Sequence, residues 1–330
     1  MKKITILGAG GWGLALGLLL NEKDCEVTVW SYSEKETQQI LMYQENKRCL
    51  PGIKIPLEMK ITSCMEEALE EAEIVVFAIP SKAIRQMAKS IKPYISEEAI
   101  IVNVSKGIEE TTLLRLSEVI SQELNNSVVV LSGPSHAEEV VRHSPTSVVV
   151  ASTNDSATQE IAEVFSTPYF RVYTNDDVIG VELGGALKNV IALAAGAIEG
   201  LGFGDNTKAA LITRGIAEIS RLGLAMGGKI STLNGLSGVG DLIGTCTSGH
   251  SRNRRAGELI ALGYTLDDTI SRVNMVVEGI PATRAAYQLK DKYDIEMPIT
   301  EAIYQALFED RNVKDAITDL MLRARKTEDY

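Results

Sequence analysis

Lys188 stands in the stretch Gly184-Gly185-Ala186-Leu187-Lys188-Asn189, inside an apolar run from about Val178 to Ala197. Val181, Ala186, Val190, Leu193 and Ala197 recur at helical spacing, so the run reads as a buried helix. An unpaired ammonium is costly in such a place. Lys188 therefore either snorkels to a surface, the commoner case for a lone lysine, or works as a proton-transfer group with a lowered pKa. Gly184 and Gly185 strip side chains from the patch beside it and are expected to leave room for a flat group to approach.

Further along, Asp241 follows the glycine-rich turn Gly235-Leu236-Ser237-Gly238-Val239-Gly240, and Thr245 comes one helical turn later, so both can face one site. Ser251, Arg252, Asn253, Arg254 and Arg255 then bring hydroxyls and guanidiniums to what reads as a helix start. Such a terminus is either a phosphate receptor or a solvated basic face. Near the N-terminus, Gly8-Ala9-Gly10-Gly11-Trp12-Gly13 directly follows the apolar run Ile4 to Leu7 and precedes a helical stretch, Leu14 to Leu20, with Val27-Thr28-Val29-Trp30 as the next strand. Gly8 permits a tight turn, Gly10 lets the backbone approach a pyrophosphate, and Gly13 allows close packing of helix on strand. In this setting the motif reads as a dinucleotide site. The second strand of such a fold usually ends on a carboxylate that binds the ribose. Here it ends Trp30-Ser31-Tyr32-Ser33, with Glu34 and Lys35 beyond. No carboxylate sits at the expected point; the two serines and Lys35 could accommodate a 2′-phosphate, yet no arginine is present to grip it, so the cofactor is NADP or NAD, leaning toward NADP.

These residues need elements to hold them. Strand candidates run over 74–79, 99–104, 128–131, 147–151 and 170–173, and helical patterns over 82–91, 112–124 and 157–165 separate most of them. The alternation predicts an α/β fold, an N-terminal Rossmann-type doubly wound sheet over residues 1–175. Ligands on such sheets lie at the carboxyl ends of strands. Val104-Ser105-Lys106-Gly107 puts a lysine at one such end, where a plain solvated lysine would look the same. Ser132-Gly133-Pro134-Ser135-His136-Ala137-Glu138 makes a small, hydroxyl-rich loop at another. His136 reads there as a residue that caps or packs a helix start. After Asn175-Asp176-Asp177 only helical spacing recurs, as at Leu211, Ile212, Ile216, Ile219 and Leu222, which predicts an all-α domain over 176–330. Val276-Val277-Glu278-Gly279 precedes Pro281, a suitable first residue of a helix. The charged tail from Arg323 to Tyr330 is expected to fray.

A chain of 330 residues favours two domains, and the net charge of −11 argues against a nucleic-acid or anionic-membrane binder. An anionic small substrate would need a local basic pocket. The four cysteines make no CxxC pair and the three histidines no HExxH, so no metal site is expected and a reduced, cytoplasmic setting fits. The uncharged run Ile4 to Leu20 has the length of a signal peptide or a marginal span, but its five glycines and the lack of a cleavage pattern weaken that reading.

Seven motifs occur together in order: Gly8 to Gly13, Val104 to Gly107, Ser132 to Ala137, Gly184 to Asn189, Gly238 to Leu242, Ser251 to Asn253, and Val276 to Gly279. With them the chain resembles, from end to end, the bacterial NAD(P)-dependent glycerol-3-phosphate dehydrogenases. The resemblance implies interconversion of sn-glycerol 3-phosphate and dihydroxyacetone phosphate, supplying phospholipid synthesis, in a cytoplasmic homodimer. It implies Lys188 as proton acceptor and a substrate site of Lys106, Gly133, Ser135, Lys188, Asp241, Ser251, Arg252 and Asn253. The cofactor would meet the glycine turn, Trp12, Lys106, Ala137, Arg252, Val276 and Glu278. Burial and Lys106 should lower the pKa of Lys188, with Asp241 orienting it. The chain departs from the family at Gly11, where serine is usual, and at Tyr32-Ser33, where His or Arg is frequent. Other readings are a Rossmann-plus-helical dehydrogenase of 2- or 3-hydroxy acids, or a non-catalytic dinucleotide sensor, which would need neither Lys188 nor Arg252.

Overall fold

Short runs of β-branched residues build the first half of the chain. They are β1 (Lys3–Leu7), β2 (Glu26–Trp30), β3 (Lys60–Thr62), β4 (Ile74–Phe77), β5 (Ile100–Asn103), β6 (Val128–Ser132), β7 (Thr146–Ala151) and β8 (Phe170–Asn175). These form one sheet in the order β3-β2-β1-β4-β5-β6-β7-β8, parallel throughout except between β6 and β7. All four residues of β4 are fully buried, as expected of a central parallel strand covered on both faces. The covering helices are α1 (Gly11–Asn21), α2 (Glu34–Tyr43), α3 (Met65–Leu69), α4 (Ile84–Ile91), α5 (Leu116–Glu123), α6 (Ala137–Val140) and α7 (Asp155–Phe165). Strand order reverses between β1 and β4, and the glycine turn after β1 lies at that switch point, where doubly wound sheets bind ligands. The apolar N-terminal run forms β1 and α1, at the centre of this core.

The second half is helical: α8 (Val178–Gly200), α9 (Asp205–Ala225), α10 (Ile230–Leu233), α11 (Asp241–Thr247), α12 (Arg252–Ala261), α13 (Leu266–Val273), α14 (Gly279–Tyr293), α15 (Pro298–Phe308) and α16 (Val313–Leu322), with a π-helical turn at Leu236–Gly240. It has its own apolar core, centred on α8. Helix α8 has the length and hydropathy of a membrane span, but 89% of that window is buried inside the protein. The computed structural model describes residues 1–330 apart from Asp24, Arg325, Lys326, Asp329 and Tyr330. The expected fraying of the tail falls in part on those last four, where it lies outside the described residues.

The chain divides into two compact units, Met1–Ser105 with Leu116–Val178, and Lys106–Arg115 with Ile179–Tyr330. The excursion of Lys106–Arg115 into the second unit explains why the helix expected from Thr112 begins only at Leu116. Ile108 and Arg115 pair as an isolated antiparallel bridge, and Leu113 takes a φ of 61°, which no α-helix admits. Strand β3 escapes a reading by period because it has only three residues.

Candidate active site

In the second unit α8 carries Lys188 at only 6% exposure, so the lysine does not snorkel. Its Nζ donates to Asp241 Oδ1 and, at 2.6 Å, to Thr245 Oγ1. The Thr245 hydroxyl in turn donates to Asp241 Oδ1 at 3.3 Å, and Lys106 Nζ donates to Asp241 Oδ2 at 2.7 Å. Two ammoniums thus share one buried carboxylate. Asp241 and Thr245 face the site together because they open α11 one turn apart. The preceding π-helical turn seats α11 against α8. A Cβ on Gly184 would lie 2.6 Å from the Ser237 carbonyl oxygen. The space beside Gly184 is therefore filled by the protein's own backbone rather than left for a ligand, because α11 must come close enough for Asp241 to meet Lys188.

Electrostatics follow from this arrangement. Burial lowers Lys188 from its ordinary range to about 8, against the upward pull of Asp241 and with a further downward push from Lys106. Burial alone would raise Asp241, yet Lys106 and Lys188 together hold it below the usual carboxylate value. Desolvation pushes the neighbouring Cys246 thiol up to about 12, so it stays protonated and unreactive. A base near neutrality beside an ordered anion can take a proton from an alcohol and return it to a carbonyl.

Helix α12 lies on α8 with almost no side chain between them: a Cβ on Gly196 would sit 1.7 Å from the Arg254 carbonyl oxygen, and one on Gly257 1.9 Å from that of Leu193. Ser251 caps α12 by accepting from Arg254 N at 3.2 Å. Arg252, in the first turn, is exposed and makes no hydrogen bond or ion pair with other described residues. Asn253 is tied into the scaffold instead. Its Nδ2 donates to Asn189 Oδ1 at 2.8 Å and its Oδ1 accepts from Gly279 N at 2.9 Å, joining α8, α12 and α14. Only one amide hydrogen of Asn253 remains for a ligand. Val276 is 41% exposed, and Glu278 is half-buried at the N-cap position of α14 without a side-chain capping bond.

The remaining expected residues lie in the first unit. Gly8 has a φ of +123°, and a Cβ on Gly13 would fall 2.0 Å from the Gly8 carbonyl oxygen, so strand, turn and α1 meet as a nucleotide-binding turn requires. No side chain caps α1 at Gly10, and a Cβ there would meet nothing within 4 Å, which leaves its first N–H groups and an open cradle for a pyrophosphate. At Gly11 a side chain would come within 2.8 Å of the Cys49 carbonyl oxygen, and this accounts for glycine at this position. Trp12 packs on the sheet core, as does Ala137 at the start of α6. Gly133 (φ +131°) passes so close to Val148 that only glycine fits, and Ser135 donates to its carbonyl at 3.0 Å. His136 occupies the N-cap position of α6, without a side-chain cap.

Sequence reasoning missed three residues beside the glycine turn. Glu36 accepts from Ser31, Asn46 and Arg48, so both a carboxylate and an arginine stand at the end of β2 after all. Lys35, the cation expected there, is exposed. It also missed the buried ion pair of Arg115 with Glu182, at 2.6 Å, which fastens the Lys106–Arg115 loop to α8. Pairs 67 residues apart leave no periodic signal. Among the described residues no cluster of three His, Cys, Asp or Glu is placed to hold a metal ion.

Comparison with known proteins shows the family. Residues 3–158 match the family model of the NAD-dependent glycerol-3-phosphate dehydrogenase N-terminus, and residues 177–318 that of its C-terminus. The chain is 52% identical to a glycerol-3-phosphate dehydrogenase [NAD(P)+] of Fusobacterium nucleatum, covering 99% of each chain. It is 53% identical to the protein of that name from Bacillus subtilis, over 99% of this chain and 96% of that one. A crystal structure of glycerol-3-phosphate dehydrogenase from Coxiella burnetii superposes with a TM-score of 0.95 at 38% identity, covering 98% and 99% of the two chains. A ketopantoate reductase of Ralstonia eutropha, at 16% identity and a TM-score of 0.63, shares the fold alone. With both family models matched in order, the chain belongs to the NAD-dependent glycerol-3-phosphate dehydrogenase family.

Proposed function

We propose that this protein interconverts sn-glycerol 3-phosphate and dihydroxyacetone phosphate with NAD or NADP, and that Lys188 moves the proton of the C2 hydroxyl. The observation that carries this is the buried ammonium near pKa 8, held by Asp241 and Thr245. The nicotinamide supplies the hydride acceptor or donor. Everything else is done by the chain. The open N-terminus of α1 and the glycine turn take the pyrophosphate, and Arg252 takes the substrate phosphate at the start of α12. Neutral Lys188 accepts the proton as the alcohol is oxidised; protonated Lys188 returns it when the ketone is reduced. Asp241 keeps the ammonium aimed, and Lys106 raises the free energy of the charged form.

Gly133 and Ser135 complete the substrate loop in this reading, and Ala137, Val276 and Glu278 the cofactor contacts. Asn253 contributes its one remaining amide hydrogen and otherwise positions α12. The protein acts in the cytoplasm as a homodimer and feeds phospholipid synthesis. The exposed Arg252 beside a scaffolded helix start favours a phosphorylated substrate over an unphosphorylated hydroxy acid. Mixing the protein with dihydroxyacetone phosphate and NADPH or NADH, and following absorbance of the reduced cofactor, tests the proposal. Loss of absorbance with at least one cofactor is expected, and no loss with either sinks it. Lys188→Ala should keep cofactor affinity while turnover falls by about two to four orders of magnitude; undiminished turnover would remove Lys188 from the reaction.

A further inference from the structure

The fold puts whatever reads the adenosine ribose at the end of β2. In this chain three side chains meet there around one carboxylate. Ser31, buried directly after β2, donates to Glu36 Oε2 at 2.6 Å. Arg48 Nη2 donates to Glu36 Oε1 at 3.0 Å. Asn46 Nδ2 reaches the same oxygen at 3.3 Å and also the carbonyl of Ala9, within the glycine turn, at 3.0 Å. Asn46 Oδ1 accepts from Cys49 N at 3.1 Å, so the segment carrying Arg48 is strapped to the turn. The Glu36 backbone is fixed in turn by the Ser33 cap of α2.

We propose that Glu36 and Arg48 read the 2′ position of the cofactor: Arg48 binds the 2′-phosphate of NADP, Glu36 accepts the 2′-hydroxyl of NAD, and the pair sets the preference between them. This rests on the cofactor reading above and adds its specificity residues. An aspartate standing alone after β2 would repel a phosphate. Here three donors offset the Glu36 charge, and the Arg48 side chain is 62% exposed. An exposed ion pair gives up little when the guanidinium turns from a carboxylate to a dianion, whose oxygens match its fork of donors. Ser31 and Asn46 keep Glu36 in place whichever partner Arg48 holds. The device suits an enzyme that accepts both cofactors.

The test needs no turnover. Adenosine 2′,5′-bisphosphate and 5′-AMP differ only in the 2′-phosphate, and the affinity of each for the ligand-free protein is measured by calorimetry. Arg48→Ala should weaken the bisphosphate by about 10- to 100-fold, as expected for a lost charged hydrogen bond, and change 5′-AMP by less than about twofold. Arg48→Lys should restore part of the loss, and Glu36→Gln should tighten the bisphosphate and weaken 5′-AMP. Equal effects of Arg48→Ala on both ligands, or none on either, overturn the proposal while leaving the cofactor site intact. Failure of the unsubstituted protein to bind either ligand overturns the cofactor site and this proposal with it.

Discussion

Replacing Lys106 by glutamine separates a tuned proton acceptor from a buried lysine that merely pairs. Lys188 rests near 8 because burial pushes it down from 10.5, Asp241 pulls it up, and Lys106 pushes it down again. Both ammoniums hold the one carboxylate, Lys106 at 2.7 Å. Two unit charges roughly 5 Å apart repel by about 3 kcal/mol at an effective dielectric constant of about 20, or about 2 pKa units. The Lys106 side chain is 19% exposed, and screening trims its share to about 1 unit. Glutamine still donates a hydrogen bond to Asp241 and leaves one buried cation facing one buried anion, so the fold is retained. The sign is fixed: removing the competing cation raises the pKa of Lys188. Oxidation of glycerol 3-phosphate needs the neutral amine, so kcat/KM climbs with pH through a midpoint near 8 in the parent and about 9 or above in the variant. Reduction needs the ammonium, and its falling limb moves up by the same interval. The assay is the initial rate across pH in both directions, read as midpoints, since loss of a substrate contact at Lys106 changes amplitude only. A midpoint that stays put or moves down refutes the coupling.

Two other perturbations probe the scaffold. Glu218 on α9 is buried and accepts from Ile299 N, Thr300 N and Thr300 Oγ1 at the start of α15; burial outweighs those bonds and raises it from 4.5 to about 7. A raised acid binds more protons folded than unfolded, so its contribution is present below about pH 4.5 and is lost as pH climbs to about 7, by about 3 kcal/mol. Glu218→Gln should therefore gain on the parent by about that much between about pH 5 and pH 8 in urea titrations, and parallel curves would contradict this. Gly196→Ala forces α8 and α12 apart, costing about 1–3 kcal/mol. Because α12 carries Arg252, KM for the phosphorylated substrate should rise; an unchanged KM would detach the phosphate site from that helix contact.

How much was legible depends on how local each signal is. The glycine turn, the order of the first strands and the apolar period of α8 are written within a few turns of chain, and the sheet and helices follow them. Asp241 and Thr245 were legible as one face because they lie one turn apart in the helix they open. Their meeting with Lys188 follows from no local spacing and was expected only through the family resemblance, since it depends on Gly184 letting a π-helical turn press against α8. That same glycine misled in sequence: a bare helix face looks alike whether backbone or ligand fills it. The Lys106–Arg115 loop follows β5 in an alternating pattern and so reads as part of the first unit. Arg115 reaching Glu182, Lys106 reaching Asp241 and Ile108 buried in the second apolar core put it in the second.

The end of β2 makes the opposite case. A search for a ribose carboxylate at a fixed offset found none, yet the chemistry was supplied from elsewhere: Glu36 folds back from the first turn of α2, and Arg48 is brought in by a segment that Asn46 ties to Ala9. Such a site is specified by three side chains that lie apart in sequence, with the carboxylate offset by its donors and the guanidinium exposed. Position 11 obeys the same logic. With Cys49 pressed against the turn, a serine there would collide, so the strap that delivers Arg48 also accounts for the glycine. The 46–50 segment thus bears on both positions, closing the space a side chain at Gly11 would take and bringing Arg48 to the end of β2. The prediction is reciprocal. Gly11→Ser should displace the 46–50 segment and weaken adenosine 2′,5′-bisphosphate more than 5′-AMP; equal weakening of the two would show that the turn and the strap act separately.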